Sequence, residues 1–156
     1  MFVYFFQIVS KKKDFFSTEE KNRIVSAIRE AEQQTSGEVR VYVERRCRFV
    51  EALDRAAEVF TILKMGETTG HNAVLIYLAV KDRQLAIFGD SAIHAKVGEE
   101  FWRKEVKHML THFQNCNYAD ATVKVILDIG AALKFHFPYD RQTDINELPD
   151  DIVFGR

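Results

Sequence analysis

The sequence has few cysteines, no surplus of charge and no long hydrophobic run, and each absence excludes a class of protein. Two cysteines among 156 residues cannot build a disulfide framework, so we expect reduced thiols and a cytoplasmic location. Twenty-two basic residues balance 23 acidic ones, whereas a nucleic-acid-binding domain normally has a basic excess. A transmembrane helix needs about 20 consecutive apolar residues, and no window provides them. The sequence therefore predicts a soluble protein with no transmembrane segment and no nucleic-acid partner.

The amino terminus is apolar but does not have the order of a signal peptide. Residues 1–9 are hydrophobic, yet they are too few to span a bilayer. Three lysines follow this run at positions 11–13, whereas a signal peptide carries its positive charge in front. We interpret residues 1–13 as an appendage outside the folded domain, with an edge strand or a short docking helix as the alternatives.

The most apolar part of the chain, within residues 72–91, predicts a buried β-hairpin. Residues 73–80 form an unbroken apolar run rich in β-branched and aromatic side chains, which is typical of a strand covered on both faces. Residues 81–84 predict a turn, and residues 85–88 a second strand that ends at Gly89. Because both faces of this hairpin need a cover, the other segments should supply helices.

The flanking segments predict those helices and a third strand. A capping box at residues 17–20 begins a helix that ends near Thr35. Apolar and polar residues then alternate over residues 39–43, which predicts a strand nearer a sheet edge than the hairpin strand at 73. Apolar residues at helical spacing predict three later helices, at residues 50–66, around 102–115 and at 117–138.

These elements predict one α/β domain, a three-layer α/β/α sandwich with a small mixed sheet and about four helices. A strand, a helix and a strand in succession favour a right-handed crossover between parallel strands, and the hairpin adds an antiparallel one. We place the domain at residues 14–137. Residues 138–156 are acidic with little periodicity, and we interpret them as a tail that Ile152, Val153 and Phe154 hold in part.

Three loops of this fold are expected to meet at one edge of the sheet. They precede the first strand, precede the second strand and follow the third, and they contain Ser36, Gly37, Glu38, Asn72, Gly89, Asp90 and Ser91. Carboxylate, amide and hydroxyl oxygens suit hard cations such as Ca²⁺ or Mg²⁺. Glu38, Asn72 and Asp90 are thus the predicted metal ligands, with ordinary turn chemistry as the alternative.

The opposite edge has a basic character. Arg45, Arg46 and Arg48 lie between the first strand and the second helix, where backbone N–H groups attract anions. Ligands of parallel sheets tend to bind beyond the carboxyl ends of the strands, which is this edge. The sequence has no glycine-rich loop to admit a phosphate, however, so a solvated basic turn is the alternative.

Two further features of the sequence can be interpreted as sites or as ordinary structure. His108 and His112 are one helical turn apart, but the zinc-protease pattern needs a glutamate where Met109 stands, so we expect a solvated helix flank. Cys47 lies among arginines, which lower the pKa of a thiol. The sequence places no histidine near it, so a reactive cysteine is the lesser alternative.

Three segments in order resemble the TPM domain, a family named for thylakoid-lumen, photosystem-repair and acetylcholine-receptor-modulator proteins. They are TSGEVRVYVE, HNAVLIYLAVKDRQLAIFGDSAI and YADATVKVILDIGAAL, and the resemblance covers residues 14–137. It implies an α/β/α sandwich with a small mixed sheet. Some members have been described as acid phosphatases and some as calcium-binding, while most have no assigned role, so the resemblance implies these two roles as candidates.

The resemblance also assigns positions to the family's turns. Ser36, Gly37 and Glu38 match its threonine–glycine turn, Asn72 its asparagine before the central strand, and Gly89 with Asp90 its glycine–aspartate turn. Alanines at positions 73 and 92 replace the usual glycines. Because the sequence pairs no nucleophile with a base, we favour a binding module with a weak Ca²⁺ or Mg²⁺ site. The alternative is an acid phosphatase of phosphomonoesters that uses Asp90 as metal ligand or nucleophile. We expect no organic cofactor, and either a protein partner or a phosphorylated small molecule.

Overall fold

A computed structural model of the chain describes residues 15–142 and 145–155. Its elements in chain order are α1 (Thr18–Glu32), β1 (Glu38–Glu44), α2 (Ala52–Ile62), a 3₁₀ turn (Met65–Glu67), β2 (Ala73–Ala79), β3 (Gln84–Gly89), α3 (Ser91–Val97), α4 (Glu99–Gln114), α5 (Tyr118–His136) and β4 (Ile152–Phe154). The predicted α/β class with a mixed sheet is confirmed. The appendage predicted at residues 1–13 lies outside the described residues. None of the described helices combines the length and hydropathy needed to cross a bilayer.

The sheet has four strands in the order β3-β2-β1-β4. β1 is parallel to β2, with Glu38 opposite Ala73, and β2 forms the predicted antiparallel hairpin with β3. The prediction that β1 lies nearer an edge than β2 is wrong, because β4 pairs with β1 in parallel on its other side. This fourth strand comes from the acidic tail, where three residues are too few to show a period.

Each face of the sheet has its own core. On one face, Val41 and Ile76 pack with residues of α1, α4 and α5, and on the other, Leu75 and Tyr77 pack with residues of α2. All seven residues of β2 are buried, as its unbroken apolar run predicts. Full burial of each large apolar side chain stabilises the fold by about 1.5–3 kcal/mol, so β2 and its neighbours anchor the sheet.

The helix ends follow local chemistry, and one helix was not predicted. The capping box is present: the Ser17 Oγ accepts from the Glu20 N at 3.1 Å, and the Glu20 Oε2 accepts from the Ser17 N at 2.7 Å. The additional helix is α3, which ends at Gly98 with φ 76°, a backbone conformation that favours glycine. At 7 residues it is too short for an apolar period to identify it.

Candidate functional site

The three predicted loops do lie side by side at one end of the sheet, which we call the acidic edge (residues 36–38, 72 and 89–91). The Asn72 Nδ2 donates to the Ser36 Oγ at 3.1 Å, so the loops before β1 and β2 touch. The Asp90 N donates to the Ala73 O at 2.9 Å, which joins the end of β3 to the start of β2. Asn72 is buried, and its Oδ1 has no hydrogen-bond partner within the described residues.

Asp90 has a structural role at this edge as the N-cap of α3. Its Oδ1 accepts from the Ser91 N at 2.7 Å, which satisfies one N–H at the start of the helix. Its Oδ2 lies 3.5 Å from the His71 Nδ1. Gly89, Asp90 and Ser91 also line a groove of about 910 Å³ along β3, whose walls include Trp102 and other apolar side chains. Asp90 thus faces a histidine and a largely apolar groove.

Glu38 belongs to a different cluster of carboxylates. Oxygens of Glu32, Glu38 and Asp150 lie within 4.8 Å of one another. Glu38 is only 3% exposed. Its Oε1 accepts from the Glu147 N at 2.8 Å, while its buried Oε2 has no hydrogen-bond partner among the residues described. The structure therefore gathers Glu38 with Glu32 and Asp150, and Asp90 is not a member of this cluster.

Glu32 and Glu38 of this cluster resist ionisation. Burial raises the pKa of Glu32, and hydrogen bonding to Asp150 raises it further. Burial is also the main cause that raises the pKa of Glu38, and the charge of Asp150 adds to it. Carboxylates in this arrangement must either keep a proton or share a cation, because like charges at short range repel each other.

The tail adds Glu147 and Asp150 to the acidic edge, and α1 adds Glu32. The Glu147 carboxylate accepts from the Thr69 N at 3.2 Å, while its backbone N–H binds Glu38. The Asp150 Oδ2 lies 3.9 Å from the Arg29 Nε. Glu32, Glu147 and Asp150 were not predicted from the sequence, because they lie in a helix and in the tail and not at the ends of predicted strands. The acidic composition of residues 138–156 was the available signal.

The three predicted arginines meet in a cleft at the opposite end of the sheet, which we call the basic cleft. It has a volume of about 620 Å³, and its walls are formed by Glu44, Arg45, Arg46, Arg48, Val50, Arg55, Glu58 and Lys81. The Arg46 NH1 lies 3.7 Å from the Asp82 Oδ1. Arg45, Arg48 and Lys81 have no ion pair within residues 15–142 and 145–155.

Cys47 lies between Arg46 and Arg48 in the sequence but is not activated by them. The thiol is buried, and its Sγ donates to the Val50 O at 3.3 Å. Burial raises the pKa of Cys47, whereas the sequence hypothesis of a reactive thiol required the arginines to lower it. The side chain is thus a structural one.

Comparison with known proteins agrees with this architecture. The sequence model of the TPM domain matches residues 9–132. The BA42 protein of the psychrophilic bacterium Bizionia argentinensis, solved by NMR, is 40% identical and covers 93% of this chain and 99% of its own, with a TM-score of 0.85. The N-terminal domain of the cg2496 protein of Corynebacterium glutamicum is 13% identical over 84% of this chain and 88% of its own, with a TM-score of 0.61, which shows a likeness in fold alone. No functionally curated protein matches.

Proposed function

The chain belongs to the TPM domain family, and we propose that it is a binding module that holds a divalent cation at its acidic edge. The observation that carries this proposal is the cluster of Glu32, Glu38 and Asp150, whose oxygens lie within 4.8 Å of one another. One oxygen of the buried Glu38 has no hydrogen-bond partner among the described residues. A cation there would satisfy that oxygen and offset the repulsion among the three carboxylates.

The donor set suits calcium better than magnesium. Calcium takes 6 to 8 oxygen ligands in flexible geometry, whereas magnesium demands a near-ideal octahedron and gives up its water reluctantly. Three carboxylates supply part of a calcium shell, and the unpartnered Asn72 Oδ1 is another oxygen of the right kind at this edge. Backbone carbonyls and waters would have to supply the rest. We therefore expect weak binding, on the order of 10⁻⁴–10⁻³ M.

Cation binding would also fasten the tail to the domain. Asp150 comes from the tail, while Glu32 and Glu38 come from α1 and β1. A cation shared by the three would add a bond between the tail and the sheet, next to the contact between the Glu147 N and Glu38. The consequence we expect is a tail whose order depends on the cation.

A calcium titration of labelled protein, followed by NMR, tests this function. Calcium should first move the amide signals of Val39, Glu147 and Asp150, and the variant Glu38→Gln should lose the response. Inorganic phosphate provides the comparison. If phosphate moves the amides of residues 45–48 and calcium moves nothing, the functional site is the basic cleft and the proposal fails.

Acid phosphatase activity is the second candidate, and the contact between Asp90 and His71 is what favours it. Phosphoryl transfer through an aspartate needs an attacking carboxylate and a group that handles protons, and the Asp90 Oδ2 lies 3.5 Å from the His71 Nδ1. An assay with a chromogenic phosphomonoester at acid pH decides the question. Hydrolysis that disappears in Asp90→Asn would support the enzyme, and its absence from the wild type leaves the binding module.

The remaining expectations stay predictions from the sequence. They are a cytoplasmic location, the lack of an organic cofactor, and a protein partner or a phosphorylated small molecule. Co-sedimentation of tagged protein with its native partners, compared between samples that contain calcium and samples that contain a chelator, would test whether the binding of a partner depends on the cation.

A further inference from the structure

A second cluster of metal-ligating side chains lies where α4 packs against α5. Glu105 and His108 come from α4 and Asp128 from α5. One ligand atom of each lies within 4.8 Å of the other two. The spacing of Glu105 and His108 is i, i+3, the Glu-x-x-His arrangement that recurs in metal sites of helix bundles. The cluster shares no residue with the acidic edge.

Glu105 is the member that requires an explanation. It is 4% exposed, and its buried Oε2 has no hydrogen-bond partner in the part of the chain that the structure describes. Burial, and then the charge of Asp128, raise the pKa of Glu105 to about 7. The Lys124 Nζ lies 2.7 Å from both oxygens of Asp128, so this cation already neutralises the aspartate. Glu105 is left as a buried carboxyl group aimed into the cluster.

His108 is not the solvated flank that the sequence predicts. The side chain is half-buried, and its ring centroid lies 5.5 Å from that of His112, one turn further along α4. The apolar periodicity of α4 does not indicate the partial burial of His108, because the neighbours of this side chain are polar: Glu105 on the same helix and Asp128 on α5. The available signal was the glutamate three residues before His108.

We propose that Glu105, His108 and Asp128 form a binding site for a first-row transition-metal ion such as Zn²⁺. One imidazole nitrogen and two carboxylate oxygens are donors of the kind that zinc accepts, whereas calcium and magnesium prefer oxygen alone. Zinc holds such ligands at about 2.0–2.2 Å, so His108 and Asp128, both partly exposed, must rotate towards the buried Glu105. Water or His112 fills the fourth position.

The same cluster can satisfy itself with a proton instead of a metal. A protonated Glu105 can donate a hydrogen bond to Asp128, and this arrangement needs no metal. The two states compete, because zinc binds only the deprotonated carboxylate and the neutral imidazole. Zinc affinity should therefore rise with pH, because metal binding releases protons from its ligands.

The test is a zinc titration of metal-free, full-length protein carrying Cys116→Ser, since the exposed Cys116 thiol is the obvious unspecific ligand. Calorimetry should find one strong site, and NMR should show that the His108 imidazole signals move first. Glu105→Gln and His108→Ala should each weaken zinc binding at least tenfold. His136→Ala, which removes a histidine at the end of α5, should leave the zinc affinity unchanged.

Thermal unfolding separates this loss from a failure to fold. Glu105→Gln removes a buried acid, so the metal-free variant should unfold at the same temperature as the parent or higher, while the rise in Tm with zinc disappears. A parent protein that binds no zinc overturns the proposal. So does zinc binding that survives Glu105→Gln, because the buried glutamate would then hold only a proton.

Discussion

Replacing Glu38 by glutamine should abolish the stabilisation by calcium without destabilising the calcium-free protein. The glutamine Oε1 can still accept from the Glu147 N, and its Nε2 can donate to Glu32 or Asp150. Burial raises the pKa of Glu38 in the folded protein above its value in the unfolded chain. The stability that Glu38 contributes is therefore fully present below the pKa of the unfolded state, and it is lost as pH rises through the pKa of the folded state. Glutamine does not ionise, so above that range the calcium-free variant should equal or exceed the wild type in stability.

The size of the calcium effect follows from the affinity expected of the donor set. With a Kd on the order of 10⁻⁴–10⁻³ M and calcium at about 10 mM, binding to the folded state alone stabilises it by about 1.4–2.7 kcal/mol. For a domain of roughly 150–250 residues, each kcal/mol shifts Tm by about 2–4 °C. The wild type should therefore gain roughly 3–11 °C, and Glu38→Gln should gain nothing.

Thermal unfolding followed by circular dichroism is the appropriate assay, at a mildly alkaline pH above the value of about 7 to which burial raises the pKa of Glu38. Sodium chloride of matched ionic strength replaces calcium in the reference samples, because screening alone changes the stability of a charged surface. Glu30→Gln is the matched control, since this exposed carboxylate lies on the same helix as Glu32. The reasoning is refuted if Glu38→Gln keeps the calcium shift, or if Glu30→Gln loses it.

Three further predictions test the fold and the seam of α4 and α5. Native-state hydrogen exchange should find the amides of Ala73–Ala79 among the slowest, because every residue of this strand is buried; exchange as fast as that of the tail would contradict the fold. Without metal, the free energy of unfolding of Glu105→Gln should increase relative to that of the wild type, by up to about 3 kcal/mol, as pH rises from the ordinary glutamate pKa of 4.5 to about 7. The cause is burial, which raises the pKa of Glu105. A urea-unfolding series over this pH range measures the difference, and a difference that stays constant would contradict the prediction. Gly130→Ala should lower the free energy of unfolding by roughly 1–3 kcal/mol, because its Cβ would lie 2.6 Å from the Ala31 Cβ. Gly66→Ala is the control: its Cβ would lie 3.6 Å from the nearest side-chain atom, so the free energy of unfolding should change little.

The sequence predicts the hairpin and the helices well because their signals are local. The capping box is a four-residue pattern, and the apolar run of β2 identifies a strand covered on both faces. β4 escapes prediction because its 3 residues form a strand only by pairing with β1, a contact between distant parts of the chain. The order of the strands at the edge of the sheet depends on that contact, so the position of β1 was wrong as well.

The polar side of β1 shows why the site could only be predicted in part. Alternation suggested a strand with one more polar face near a sheet edge, yet Glu38, Arg40 and Glu44 are all buried. Each has a partner from a distant segment: Arg55 binds both oxygens of Glu44, and the Arg40 NH2 lies 3.6 Å from the Asp151 Oδ1. Periodicity cannot distinguish a charge that faces water from one that a distant partner covers, because both give the same pattern.

The buried charges of β1 also explain why the two ends of the sheet differ in chemistry. At the end of β1, Glu44 is neutralised by Arg55 at 2.9 Å and 3.0 Å, so this pair is complete. Arg45 and Arg48 beside it have no ion pair within the described residues. At the start of β1, Glu38 faces Glu32 and Asp150, and no basic side chain among the described residues forms an ion pair with it. A buried carboxyl group without a cation must hold a proton or take up a cation from solution. A cation bound at the proposed site would therefore change the charge state at the acidic edge, and we expect the tail that supplies Asp150 to respond.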